Sequence, residues 1–511
     1  MSVHRPNWEA ITSVEPNRDS ILRTILFATE RECTPEELLE TRATTGYLIM
    51  ARRMVDQFVQ GATRFIIQTD FDADGITSGV IWERHLKRIA PVSVRIPTRA
   101  QGHPSLEPMI NEMRQNPASH LVILDNGTNS WPRLSPHLQN EKVLIVDHHE
   151  PEPLEIPLDD RIAVINPHIL PGKKNENDLS TAGLSYYLLP ESDPKAMILA
   201  GIGQLGDVMP LTPLSHQIAR QTLARLHDQQ PPSLLPLLPK DLTVQGLSFF
   251  TIPKINAVSR MSHPMLMYCI LSSDEPAPAT FEEILRQNQQ RQDVTAVYLE
   301  KARLQVTADA VQVIYIPDMP ASIAGLIASR LSEELFKPVL CVCNQEILSG
   351  SFRSPIDLNL ALLIMQLRSE GVLLSGGGHK RAAGLSLRAS QLPELRKRLQ
   401  TIAVIVSRKY IPMPAMPFDE LASYYSELEP YGAGSRAPFW GIPFYRSNVL
   451  PLYTRETKRH WANRGELHTP AGIIPFLECL TASWKPCGIA IGKIDWDAYK
   501  QRHILRIEDI L

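Results

Sequence analysis

Residues Arg64 to Ser78 constrain this chain more than any other stretch. An apolar run, Phe65-Ile-Ile67, leads to Asp70-Phe71-Asp72-Ala73-Asp74-Gly75 and then into a helix-like segment. Strand side chains alternate with a period of two, so three alternate aspartates in extended chain share one face. At the carboxyl end of a strand in an open parallel sheet, that face opens where ligands bind. Crowded carboxylates repel one another unless cations neutralise them, and hard oxygen donors suit Mg²⁺, Mn²⁺ or Ca²⁺. A single DxDxDG is as readily an acidic turn or a calcium loop. The EF-hand form fails here, because its glycine would be followed by further ligands and a glutamate, whereas Ile76-Thr77-Ser78-Gly79-Val80 follows.

The pattern repeats. Leu121-Val-Ile-Leu-Asp125-Asn126-Gly127 and Val143-Leu-Ile-Val-Asp147-His148-His149 are two more apolar runs ending in acid or histidine, and Gly203-Gln-Leu-Gly206-Asp207 adds another acid. Buried parallel strands read as short continuous apolar runs. Three of them delivering acids and histidines at their ends put these groups on one rim, and together they point to a two-metal site rather than to solvated loops.

The 511 residues suffice for about three domains. With 43% hydrophobic and 21% charged residues, the composition is that of a soluble globular chain with room for more than one core. A formal net charge of -3 does not advertise nucleic-acid binding, so any such binding must come from local basic surfaces. No apolar run approaches membrane-spanning length and the first residues lack a signal-peptide core, so a cytoplasmic protein without membrane contact is expected. Six scattered cysteines argue against a disulfide framework; Cys341 and Cys343 lie in one apolar run and are expected on opposite faces.

Along the chain, residues 1–45 read as a helical lead-in, and 46–280 as a doubly wound, parallel-sheet α/β domain of alternating strands and helices. Arg99, just past a strand end, is a candidate phosphate contact or an ordinary solvated arginine. Asp178-Leu-Ser180-Thr-Ala-Gly183 begins a helix with small residues, suited to tight packing near a ligand. Residues 281–306 are long, polar and proline-free, and read as a connecting helix. A second, smaller α/β domain covers 307–411. Its distinctive loop is Gly376-Gly377-Gly378-His379-Lys380-Arg381, where adjacent glycines let backbone N–H groups approach an anion. Gly350-Ser351-Phe352-Arg353-Ser354 is a second candidate phosphate contact. Residues 412–511 carry short β-like runs that suggest a small β-barrel. Within it Arg446, Arg455, Lys458, Arg459, His460 and Arg464, interleaved with Tyr445, Tyr453 and Trp461, would make either a single-strand groove or a solvated face over a packed core.

These motifs, in this order, resemble the DHH phosphoesterase superfamily: Asp70-Phe-Asp-Ala-Asp-Gly75, Asp125-Asn126-Gly127, Asp147-His148-His149, Gly206-Asp207, and the glycine motif of a DHH-associated domain at Gly376–Gly384. Within it, Pro253-Lys-Ile-Asn256-Ala-Val-Ser259-Arg260, Ala324-Gly325-Leu-Ile-Ala-Ser-Arg330 and Leu428-Glu-Pro-Tyr-Gly-Ala-Gly434 are similar to stretches of the RecJ family of single-strand-specific 5′→3′ DNA exonucleases, the last leading into an oligonucleotide-binding (OB-like) barrel. The resemblance runs from about Tyr47 to the end. Gln68, Ser259, Gly102-His103-Pro104 and Gly434-Ser435 depart from the usual pattern, and none of them removes an acid.

The resemblance implies two divalent cations, Mn²⁺ ahead of Mg²⁺, held by Asp72, Asp74, Asp125, His148 and Asp207, with Asp125 bridging. Asp70 and Asp147 would coordinate or orient, and His149 would meet the scissile phosphate. Arg353, Ser354, His379 and the Gly376–Gly378 backbone would hold the terminal phosphate, and Asn256 and Arg260 would line the strand path. The expected product is mononucleotides from single-stranded DNA, in repair or recombination, with a single-strand-binding protein as partner. Two other readings remain: a phosphodiesterase of short oligoribonucleotides or cyclic dinucleotides, which needs no strand groove, and a non-catalytic replication or repair scaffold, which would tolerate broken ligand sets.

Overall fold

The structure, a computed structural model, describes residues 7–511 apart from 12–13, 30, 32, 40–44, 99–105, 117, 140, 152–158, 170–175, 190–192, 357, 379, 403–406, 432–436, 446–448, 457–460, 479–486 and 498–501. Two compact units emerge: one contains Ala43–Asp207 and Gln221–Val406, the other Asn7–Arg42, Val208–Arg220 and Ser407–Leu511. Strands are numbered along the chain, and β1 (Asn7–Ala10) belongs to the second unit.

In the first unit, β2 (Arg64–Thr69), β3 (Val92–Arg95), β4 (Ser119–Leu124), β5 (Val143–Val146) and β6 (Ile162–Ile165) form an all-parallel sheet in the order β3-β2-β4-β5-β6. Ile66 lies beside Leu121, Leu121 beside Val143, and Val143 beside Ile162. These residues pack with Met109, Met113 and Trp131 into one apolar layer. The alternate residues Phe65, Ile67, Val122 and Leu144 are also fully buried, with helices Gly46–Val59, Ala73–Leu86 and Thr181–Leu188 packed on the sheet. Cover on both faces is why the strands read as unbroken apolar runs. The expected doubly wound α/β domain is present.

Helix Pro278–Arg303 leads into a second sheet of β7 (Gln312–Tyr315), β8 (Val339–Cys343), β9 (Ile347–Arg353), β10 (Ser375–Gly378) and β11 (Ala382–Arg388), ordered β10-β11-β9-β8-β7. Only the β7–β8 pair is parallel. Leu340, Val342 and Phe352 pack on one side with helix Leu360–Ser369. Cys341 and Cys343 both lie on the other side with Ile323 and Ile327 of helix Ala321–Leu335, contrary to the expectation of opposite faces, because residues two apart on a strand share a face. The glycine-rich segment also differs from expectation. Gly376–Gly378 is not a loop but part of edge strand β10, with Gly377 opposite Gly384.

The second unit holds β1 with β12 (Ser407–Pro412), β13 (Trp440–Tyr445), β14 (Val449–Glu456), β15 (Trp461–Thr469), β16 (Gly472–Glu478), β17 (Cys487–Asp497) and β18 (Arg502–Ile510). Their order is β1-β12-β13-β17-β18-β16-β15-β14. Among the described residues the end strands β1 and β14 do not pair, so no closed barrel forms there. Helices Arg18–Ala28 and Phe418–Glu427 share its core, in which Ile21, Ile25, Leu421, Trp440 and Phe476 meet. The N-terminal segment thus supplies a strand as well as helices; β1 pairs in parallel with β12. No helix among the described residues is long and apolar enough to cross a membrane.

Candidate metal centre

The rim of the parallel sheet is built by chain reversals at the strand ends. After β2 the backbone does not remain extended. Asp70 follows the strand, Asp72 is the N-cap of helix Ala73–Leu86, and Asp74 lies in its first turn. Three aspartates on one strand face is therefore corrected to one at a strand end, one at a cap and one in a helix. The unsatisfied N–H groups of the first helical turn explain the change. Asp72 Oδ1 accepts from the backbone of Asp74 at 3.1 Å and of Gly75 at 3.2 Å. A Cβ on residue 75 would sit 2.6 Å from the Asp70 carbonyl oxygen, so this turn needs glycine. The Ala73 N–H donates to Asn256 Oδ1 at 3.0 Å, fixing the loop from outside.

Asp74 is buried against the start of helix Thr181–Leu188 and accepts from the backbone N–H of Thr181 at 2.7 Å and of Ala182 at 2.9 Å. Those donors and the positive end of the helix favour a carboxylate there. Asp125 follows β4 in left-handed backbone, φ +61°, and its Oδ1 accepts from Thr181 Oγ1 at 3.2 Å. Asp147 follows β5. Its Oδ1 accepts from the backbone of His148 at 2.8 Å and His149 at 3.2 Å and lies 2.7 Å from His149 Nδ1, while Oδ2 accepts from Thr128 N–H at 3.1 Å. Both Asp147 oxygens are thus committed to shaping the turn. Asn166 braces it, donating from Nδ2 to Thr128 Oγ1 and to the His149 carbonyl at 2.9 Å each.

His148 is fully buried at the centre. Its Nε2 lies 3.3 Å from Asp207 Oδ2, 3.4 Å from Asp125 Oδ1 and 3.9 Å from Asp74 Oδ2. Asp207 reaches it as the C-cap residue of helix Pro194–Gly206. That helix packs closely: a Cβ on Gly203 would be 2.6 Å from Asp74 Oδ1 and from Thr77 Oγ1. Ligand atoms of Asp70, Asp72 and Asp125 lie within 4.8 Å of one another, and so do those of Asp125, His148 and His149. The two groups share Asp125. Oxygen donors with imidazole nitrogen suit Mn²⁺ and Mg²⁺, so the donor set fits divalent cations.

The electrostatics match a cation-binding cluster. Burial, then the neighbouring carboxylates, raises the pKa of Asp125 and of Asp207. Burial pushes Asp74 up to about 6 against the backbone hydrogen bond from Ala182. At Asp147, burial acts upward, but the charge of His149 and its hydrogen bond win and hold the carboxyl below its ordinary value. Burial disfavours the imidazolium of His149, yet Asp147 carries it to about 10.

Other sequence-derived candidates fall differently. Asn256 spends Oδ1 on the acid loop, and the Arg260 guanidinium donates to the Ser322 carbonyl at the head of helix Ala321–Leu335. Arg353 donates to the Phe352 carbonyl at 2.8 Å, and a Cβ on Gly325 would be 2.9 Å from its Nη2. Ser354 closes a turn by donating to the Ile356 carbonyl at 2.9 Å. Arg99, His379, Gly102, His103, Pro104, Gly434 and Ser435 lie outside the described residues, as do the side chains of the basic and aromatic residues from Tyr445 to Arg464. Sequence reading placed the Asp178–Gly183 helix start, with Thr181, near a ligand, but missed the bracing role of Thr128 and Asn166. Its only signal was small polar residues just beyond apolar runs.

Residues 64–205 match the DHH family, N-terminal domain, and residues 308–404 match the DHHA1 domain. The single-stranded-DNA-specific exonuclease RecJ of Thermus thermophilus is 28% identical over 421 residues, 76% of this chain and 60% of the relative. That of Bacillus subtilis is 27% identical over 384 residues, 70% of this chain and 48% of the relative. The chain thus spans about half to three-fifths of these relatives' length. The crystal structure of RecJ in complex with Mn²⁺ from Thermus thermophilus superposes with a TM-score of 0.78 at 23% identity, covering 99% of this chain and 79% of that one. A crystal structure of exonuclease RecJ bound to manganese gives a TM-score of 0.57 at 26% identity, covering 71% of this chain and 95% of that one.

Proposed function

We propose that this chain, which carries the DHH family's N-terminal domain and a DHHA1 domain, hydrolyses phosphodiester bonds of single-stranded DNA from the 5′ end, releasing mononucleotides in repair or recombination. The observation that carries the reading is the pair of ligand groups sharing Asp125. Asp70 and Asp72 with Asp125 would hold one divalent cation, and Asp125 with His148 the other, with Asp207 and Asp74 within 3.9 Å of His148 to complete it. Bound Mn²⁺ or Mg²⁺ would supply an activated water and neutralise charge at phosphorus. The chain's own residues do the rest. Asp147 aligns His149 toward substrate, and two N–H donors at the start of helix Thr181–Leu188 hold the Asp74 carboxylate in place. His149, half-exposed beside the buried His148, is placed to meet a scissile phosphate. The β10 edge glycines and Arg353 would receive the terminal phosphate, and the second unit's sheet would act as an OB-like strand-binding element. Relatives named for single-stranded DNA favour this over a dinucleotide phosphodiesterase.

The test is digestion of a long single strand labelled at either end, with Mn²⁺ or Mg²⁺, beside matched RNA and duplex. Mononucleotides released from the 5′ end by the wild type and not by Asp125→Ala are expected. An uncut long strand would overturn the proposal, and cleavage of dinucleotides alone would favour the phosphodiesterase.

A further inference from the structure

Helix Ile252–Met261 is preceded by a π-helical turn, Leu247–Thr251, a form that recurs at functional sites. Leu247 and Thr251 point inward and are fully buried, and Thr251 Oγ1 donates to the Leu237 carbonyl at 2.8 Å. Between them Phe249 is turned outward and is 81% exposed.

Phe249 does not stand on an arbitrary face. Pro253, Asn256 and Arg260 are the helix positions from 252 to 260 that are not buried. Spaced three and seven residues from Pro253, Asn256 and Arg260 share one α-helical stripe with it, and Phe249 lies four residues ahead of Pro253 in the π-helical turn. Two members of that stripe touch the machinery. Asn256 holds the acid loop through the Ala73 N–H, and Arg260 donates to the Ser322 carbonyl of the second sheet's domain. The flank of the stripe adjoins the helix that presents Asp207, since a Cβ on Gly206 would meet Ile252 Cγ2 at 3.9 Å. Seven residues of helix place Phe249 about 10 Å from Asn256 along the axis.

The neighbouring chemistry suits a nucleobase better than a protein partner. Phe250, beside Phe249, carries the buried Lys254 ammonium over its ring at 3.1 Å. The exposed positions just upstream, Lys240, Asp241, Thr243 and Gln245, are polar, and Phe250, 44% exposed, is the apolar neighbour. An exposed ring beside a lysine-backed aromatic, just ahead of the helix that braces the acid loop, offers a face on which an unpaired base can stack without its sequence being read.

We propose that Phe249 is a stacking platform for a nucleobase of the single strand whose phosphate occupies the acid cluster. The proposal rests on the nuclease reading above. Its test is binding of the full chain, in Mn²⁺, to oligonucleotides with a non-hydrolysable phosphonate at the 5′-terminal linkage, so that nothing is cut, and 2-aminopurine at successive positions. The wild type quenches the fluorophore at one position; Phe249→Ala loses that quench and binds about tenfold more weakly, the scale of one stacked base; Phe249→Trp restores both. Equal Mn²⁺-dependent melting of all three shows that the fold is kept. Wild-type binding and quenching by Phe249→Ala would overturn the platform alone. An unchanged affinity for DNA with a loss of self-association in sedimentation would also overturn it, assigning the face to a second copy of the chain. A wild type that binds no single strand would overturn the nuclease reading itself.

Discussion

Asp74, Asp125 and Asp207 crowd around one buried imidazole, and burial with mutual repulsion raises all three pKa values, Asp74 to about 6. An unfolded aspartate titrates near 3.9. A folded-state pKa above the unfolded value gives stability that is full below about pH 4 and is lost as pH rises through about 6. Without metal, this cluster therefore destabilises the fold at neutral pH. A cation held by the folded chain and not by the unfolded one would reverse that. Thermal melts with and without Mn²⁺ should show a larger rise in Tm at pH 7.5 than at pH 5. An equal rise at both would refute the assignment of these acids to a cation site. The opposite sign holds at Asp147, whose carboxyl is depressed chiefly by His149; it stays ionised throughout this window and contributes nothing to the difference.

At the scale of elements, the site depends on three helix ends brought close together. Helix Thr181–Leu188 offers its N–H groups to Asp74, helix Ala73–Leu86 begins at Asp72, and helix Pro194–Gly206 ends at Asp207. The close approach rests on Gly203, where a Cβ would come within 2.5 Å of the Ala182 Cβ as well as against Asp74. Gly203→Ala should cost about 1–3 kcal/mol in urea unfolding and weaken Mn²⁺ binding. Gly46→Ala, where a Cβ meets nothing within 4 Å, should be neutral or slightly stabilising. Equal behaviour of the two would remove the packing argument. This geometry was only partly legible in the sequence. The strands β2, β4 and β5 were plain because a sheet covered on both faces demands continuous apolar runs, and the acids stood at their ends. The turn at Asp72 was not, since capping by a side chain competes locally with extension and leaves the same alternating pattern in the sequence. Nor was the pairing of β1 with β12, residues about 400 apart, because no local periodicity encodes a long-range partner. The glycines of β10 read as a loop because glycine weakens strands, yet an edge strand tolerates them.

At the scale of the whole chain, two units each carry a core of their own, and the first contains both the acid cluster and the second five-stranded sheet. A net charge of -3 leaves attraction for a polyanion to local groups, and the cluster itself is repulsive to phosphate until cations fill it. Two ions sharing Asp125 are thus the condition for everything else in the account. Electron paramagnetic resonance of a Mn²⁺ titration tests it directly. The account predicts two ions per chain with the spectrum of a coupled pair, and loss of the coupling with weakened binding of both ions in Asp125→Ala. A single uncoupled ion, or a coupled pair that persists without Asp125, would contradict it.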